Sequence, residues 1–172
     1  PNPFIYHRAD PFIYKHTDGM YYFTASYTDM EHNLEGKYQY LYIILRRSAT
    51  LGGLADGSGA YEEKVVYERK PIAGGTLSPH IWAPEIHYIK GNWYIYYTTT
   101  ISDESSWRIR PHCLECRDRD PLCGTWELKG PVVTEVKDDI AFTDFSLDHI
   151  HFDHKGKHYF LWAQKTNNTS DI

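Results

Sequence analysis

Long apolar runs are missing from this chain. No stretch approaches the roughly 18 residues that a membrane-spanning helix needs, so none of it reads as one. Blocks of like charge are missing as well: the net charge is −5, and Lys and Arg are scattered, which argues against the clustered basic face of a nucleic-acid binder. No segment sustains helical periodicity. Nothing reads as a signal peptide, and Pro1 as first residue implies a start that has been removed. Cysteine is scarce. Cys113, Cys116 and Cys123 form a single C-x-x-C with one thiol further on, and no second pair or neighbouring His pair completes a zinc set. A disulfide from Cys123 to either Cys113 or Cys116 would close across a hairpin in an oxidising compartment and leave one thiol over.

What the chain does have is aromatic rings. Its 172 residues suit one domain, 41% of them are apolar, and 15 Tyr and 5 Trp favour strands. Rings in that number fit a β-rich core or a surface that stacks on sugars, and composition does not separate the two. Overlapping N-x-S/T triplets at Asn167 and Asn168 are compatible with a secreted protein.

The chain also repeats. Gly-x-x-Tyr recurs from Gly19 to Tyr22, Gly91 to Tyr94 and Gly156 to Tyr159, the tyrosines standing 72 (94−22) and 65 (159−94) residues apart. Each glycine follows a turn-forming partner (Asp18, Lys90, Lys155), and an acid with apolar strand residues precedes it: Asp10, Glu85 and Asp148. A second echo follows the first two hairpins. Apolar strands 41-LYIILR-46 and 109-IRPHCLEC-116 lead through turns ending in Gly53 and Gly124 to 62-EEKVVYE-68 and 126-WELKGPVV-133. Four-stranded units at such a period describe a β-propeller, whose blades surround a channel. The expected blades are about 9–70 and about 80–135, with a third begun at about 145, so the chain covers about two and a half blades of one all-β domain. Such a partial propeller cannot close and exposes a free edge, so the remaining blades are expected on the same polypeptide or on a second chain. Because the first strand of each blade lines the channel, recurrent acids at its start are expected to converge at one mouth.

The runs 8-RADPFIYKHTDGMYYFTAS-26, 80-HIWAPEIHYIKGNWYIYYTTT-100 and 145-FSLDHIHFDHKGKHYFLWAQ-164 resemble glycoside hydrolase family 43, in family order over nearly the whole chain. Ala-Asp-Pro, Trp-Ala-Pro-Glu and Leu-Asp carry the likeness, and their versions here look most like the α-L-arabinofuranosidases that trim arabinan from its ends. The resemblance implies a five-bladed propeller, secretion, and hydrolysis of plant cell-wall polysaccharide or oligosaccharide with inversion. Asp10 matches the general base, and Asp148 matches the carboxylate that tunes the general acid. That acid, a glutamate, is expected beyond Ile172, which implies that the fragment alone is inactive. Glu85 does not match it and reads as second-shell or structural. No cofactor is implied as a requirement; the calcium that many family members hold in the channel would take its ligands from outside this chain.

Arg8, His80, Trp82, Phe145 and His149 lie near these motifs. Each reads equally as a sugar contact or as packing; for Arg8, the second reading is pairing with a neighbouring acid. The remaining histidines read as exposed strand or turn residues, and His149 with His151 lacks a third metal ligand. Family alternatives are a β-xylosidase or an endo-arabinanase. An alternative of another class is a non-catalytic carbohydrate-binding propeller or inactive fragment. Arg119-Asp120-Pro121 and Glu115-Cys116 imitate invertase-like motifs in reversed order and read as coincidence.

Overall fold

The computed structural model describes residues 2–27, 29–34, 37–70, 78, 80–102, 104–105, 107–135 and 139–165, and the triplets at Asn167 and Asn168 lie outside these. The chain opens with the hairpin of β1 (Arg8–Lys15) and β2 (Tyr21–Tyr27). A short ribbon, β3 (Asp29–Leu34) with β4 (Lys37–Gln39), then interrupts the blade, which the sequence pattern had not separated from its neighbours. Next, β5 (Tyr42–Ser48) and β6 (Glu62–Glu68) complete an antiparallel sheet ordered β1-β2-β5-β6. The second blade is β7 (Ile81–Ile89), β8 (Asn92–Thr100), β9 (Ile109–Cys116) and β10 (Trp126–Pro131), hydrogen-bonded in chain order. The third begins with the hairpin of β11 (Ser146–His154) and β12 (Lys157–Gln164). Among the described residues the one helical element is the 3-10 turn Gly52–Leu54, and no helix is long and apolar enough to cross a membrane. The protein is thus all-β, about two and a half blades of a β-propeller.

Local chemistry sets the hairpins. Lys90-Gly91 and Lys155-Gly156 put two consecutive residues at positive φ (50° and 95°, then 52° and 72°), as a two-residue turn matched to strand twist requires. The first blade uses a longer turn, in which the Asp18 carboxylate accepts the Met20 N–H at 2.8 Å. The second echo has a packing reason: Gly53 and Gly124 both sit where a Cβ would run into the last side chain of the blade's third strand, Ser48 and Cys116 respectively.

A cluster of rings fills the seam between the first two blades. Trp93 is fully buried, with Tyr22, Tyr88 and His16 4.9, 4.9 and 4.6 Å from it and Tyr14 6.1 Å away. At the outer edge of the same seam Arg47 pairs with Asp120 at 3.0 Å, while Asp120 also receives the Leu122 N–H. The other invertase-like string is equally occupied: Glu115 is buried and accepts from the Tyr94 hydroxyl (2.9 Å), Asn92 (3.2 Å) and Arg117 (3.1 Å). Arg117 first, with Tyr94 and Lys129, lowers its pKa to about 2. Cys113, Cys116 and Cys123 are all free thiols, so neither disulfide forms, and burial pushes the Cys113 thiol up to about 12.

His87 and His151 correct the sequence reading, and His149 takes its packing alternative. His87 and His149 are buried and His151 is half-buried, because the third blade packs onto the second through them. His149 stacks on Phe160 with centroids 5.5 Å apart, and His151 lies 4.7 Å from His87. The opposite face of the third blade carries Ile150, Phe152, Tyr159 and Leu161, two cross-strand pairs, all exposed.

Candidate active site

Each innermost strand is broken at the same place. The pairing of β1 with β2 slips between Ala9 and Phe12, that of β7 with β8 between Trp82 and Glu85, and that of β11 with β12 between Leu147 and Ile150. Within each bulge one residue takes a left-handed backbone: Asp10 at φ 51°, Ala83 at 46° and Asp148 at 47°. Non-glycine residues rarely adopt this conformation, and Asp10 and Ala83 do so directly before a proline, where the helical regions are further disfavoured. Strain of this kind, of order 1–3 kcal/mol per residue, persists only where the surrounding ladder over-determines it. Its effect is to re-aim a side chain at the sheet rim, which bulges beside active sites do.

The triplet of equivalent positions is therefore Asp10, Ala83 and Asp148. Glu85 is not the second blade's acid: it lies two residues further along β7, where the other blades place Phe12 and Ile150. Buried at 9% exposure, its carboxylate accepts the backbone N–H of His151 at 3.2 Å and lies 3.0 Å from His87 Nε2, so it ties the second blade to the third. Sequence spacing already carried the difference. Asp10 and Asp148 precede the repeat tyrosine by 12 (22−10) and 11 (159−148) residues, and Glu85 by only 9 (94−85).

Asp148 lies within electrostatic reach of Asp10. Both residues are open to solvent, and the Asp148 carboxyl is raised above its ordinary range, first by partial desolvation and then by the negative charge of Asp10. Asp10 is held by Ser26, at 1% exposure, whose hydroxyl donates to its Oδ2 at 2.9 Å and accepts the Ala83 N–H at 2.7 Å. One serine thus locks the aspartate of the first bulge to the backbone of the second.

An aromatic wall flanks the second bulge. His80 and Trp82 have ring centroids 4.0 Å apart, Tyr40 meets Trp82 at 5.9 Å, and Trp107 reaches His80 at 5.5 Å and Phe145 at 6.3 Å. Burial lowers His80 to about 4, so its ring stays neutral near pH 7. Trp82, His80 and Phe145 are thus gathered, while Arg8 and His149 show the pairing and packing alternatives. Arg8 lies over the Tyr27 ring at 4.4 Å and faces Glu63 at 3.7 Å, which is its acid-pairing alternative. His149, at 3% exposure, is packed between blades with Nδ1 3.4 Å from the Thr98 hydroxyl. Sequence reading missed Ser26, Tyr40 and Trp107; for Trp107 the signal was a lone indole in the polar stretch 102-SDESSW-107. No three His, Cys, Asp or Glu side chains among the described residues come together as a metal site.

The sequence matches the family described as Glycosyl hydrolases family 43 over residues 1–172. It is 44% identical to an extracellular exo-α-(1→5)-L-arabinofuranosidase of Streptomyces chartreusis, over 95% of this chain and 43% of that protein. It is 40% identical to a protein of the same name from Streptomyces avermitilis, over 98% and 31%. The crystal structure of an α-L-arabinofuranosidase from Lactobacillus brevis superposes with a TM-score of 0.76 at 36% identity, covering 98% of this chain and 48% of that one. The chain thus spans less than half the length of these relatives.

Proposed function

Because this chain belongs to glycosyl hydrolases family 43, we propose that the protein of which it forms part releases terminal α-L-arabinofuranose from arabinan or arabino-oligosaccharides, with inversion. The observation that carries this reading is the pair Asp10 and Asp148, re-aimed by equivalent bulges and close enough for one charge to act on the other. The names of the relatives at 44% and 40% identity supply the sugar and the exo action, and their extracellular designation supports a secreted enzyme.

Inversion needs a base that deprotonates water on one face of the sugar and an acid that protonates the leaving oxygen on the other, with carboxyls about 6.5–9.5 Å apart. Asp10 is the base. Ser26 fixes Oδ2, and among the described residues Oδ1 takes no hydrogen bond, which leaves it for water. Asp148 adds negative charge where the anomeric centre becomes oxocarbenium-like, and it raises the pKa of the acid so that the acid stays protonated. The acid itself is a glutamate supplied by the remaining blades. Those blades would also cover Ile150, Phe152, Tyr159 and Leu161, whose exposure is otherwise unfavourable. The substrate is a plant cell-wall arabinan or an oligosaccharide derived from it, and the chemistry requires no cofactor.

The experiment is proton NMR of the full-length polypeptide acting on α-1,5-linked arabinotriose. Initial appearance of β-L-arabinofuranose, before mutarotation, is expected. First appearance of the α-anomer would overturn inversion, and release of xylose from xylo-oligosaccharides with no arabinose from arabinotriose would overturn the substrate.

A further inference from the structure

Trp107 stands apart from the other rings of the wall. It is 61% exposed, whereas His80, Trp82 and Phe145 are half-buried. It sits in the connection between β8 and β9, and local bonds set the backbone there. Its N–H reaches the Ser105 hydroxyl at 3.2 Å, its carbonyl accepts the Ile109 N–H at 2.9 Å, and Arg108 pairs with Glu104 in the same connection. The indole spans two blades, 5.5 Å from His80 and 6.3 Å from Trp82 on one side and 6.3 Å from Phe145 on the other. Phe145 is three residues before Asp148, and Trp82 directly precedes the bulge residue Ala83, so the ring bridges the approaches to both bulges.

An exposed indole, held by its backbone rather than by burial, leaves a broad apolar face in water. Covering such a face is favourable, and sugar C–H faces suit it as they suit aromatic surfaces in general. Depth assigns the sugar. In an exo-acting site the terminal residue lies innermost, beside the carboxylates, and the rest of the chain leaves over the rim. The half-buried rings therefore border the terminal sugar, and the most exposed ring meets the one after it.

We infer that Trp107 is the platform on which the second sugar of the substrate stacks, making it a determinant of preference for oligosaccharides over simple arabinofuranosides. This rests on the arabinofuranosidase reading above.

The test compares the full-length wild type with Trp107→Ala and Trp107→Phe on methyl α-L-arabinofuranoside, which has no second sugar, and on α-1,5-linked arabinotriose. For Trp107→Ala the loss of kcat/KM on arabinotriose is expected to exceed the loss on the methyl glycoside by about three- to tenfold, the scale of one aromatic contact. Trp107→Phe, which keeps an aromatic face, should recover most of the difference. Equal losses on both substrates, or no loss on either, would overturn the platform while leaving the arabinofuranosidase reading intact. A wild type inactive on both substrates would overturn the functional reading, and the platform with it. As a measurement independent of turnover, arabinotriose should quench tryptophan fluorescence in the Asp10→Asn protein, and Trp107→Phe in that background should remove most of the quenching. Unchanged quenching would also overturn the proposal.

Discussion

The hydroxyl of Ser26 donates to Asp10 Oδ2 at 2.9 Å, and the same oxygen receives the backbone N–H of Ala83 at 2.7 Å. Asp10 is therefore oriented by a residue of its own blade that is itself fixed by the next one. Ser26→Ala keeps the strand but orphans a part-buried N–H and frees the carboxylate to rotate. A buried donor left unpaired costs about 1–3 kcal/mol. The variant should melt at lower temperature and lose turnover, and Ser26→Thr, which retains the hydroxyl, should recover part of both. A Ser26→Ala enzyme with wild-type kcat would show that Asp10 does not need this orientation.

Asp10→Asn keeps the size of the side chain and removes the base. Loss of a positioned acid or base costs about 10²–10⁴-fold in rate. Turnover of arabinotriose by the full-length protein should fall by that factor while its binding, followed by calorimetry, persists. A rate within about threefold of wild type, far inside that range, would remove Asp10 from the role of base.

Asp148 offers a charge-based check. Partial desolvation and then the Asp10 charge raise its carboxyl, so Asp10→Asn should bring the Asp148 pKa down toward the ordinary aspartate range. Carbon-13 titration of the Asp148 carboxyl would show this directly, and an unchanged midpoint would mean that the two groups do not interact. Asp148→Asn should in turn lower the pKa of the general acid, moving the alkaline limb of the pH–rate profile to lower pH and reducing turnover.

Acid should loosen the blades. Burial lowers His80 and His151 to about 4 from an ordinary 6.5; for His151, His87 and His158 lower it further, and Glu85 and Asp153 oppose. Below pH 6.5 the unfolded chain binds these protons and the folded chain does not. Stability is therefore full above about 6.5 and declines as pH falls toward about 4. Thermal melting across that window should show the decline, and His151→Phe should flatten it. A melting temperature constant between those values would refute the burial of neutral rings.

The hairpins were legible because turn chemistry is local. Lys-Gly at two turns and the Gly-x-x-Tyr spacing fix strand pairs within about ten residues, and that register agrees with the structure at Tyr22, Tyr94 and Tyr159. Asp10 and Asp148 were legible through their motifs. The alignment of Glu85 with them failed because a bulge inserts residues without altering the apolar pattern around it. The acid two places further on looked equivalent until backbone pairing set the register. His87 and His151 read as surface residues because nothing in a single strand shows that another blade will cover it. Ser26 gave no signal, since its hydroxyl has meaning only where two blades meet. The sequence by itself determined strands and turns and singled out the two aspartates that stand at the first and third bulges, all properties of short stretches of chain. Only the tertiary structure decided which side chains face each other across blades, because those contacts depend on packing between residues 50 or more positions apart, such as Ser26 with Ala83 and Glu85 with His151.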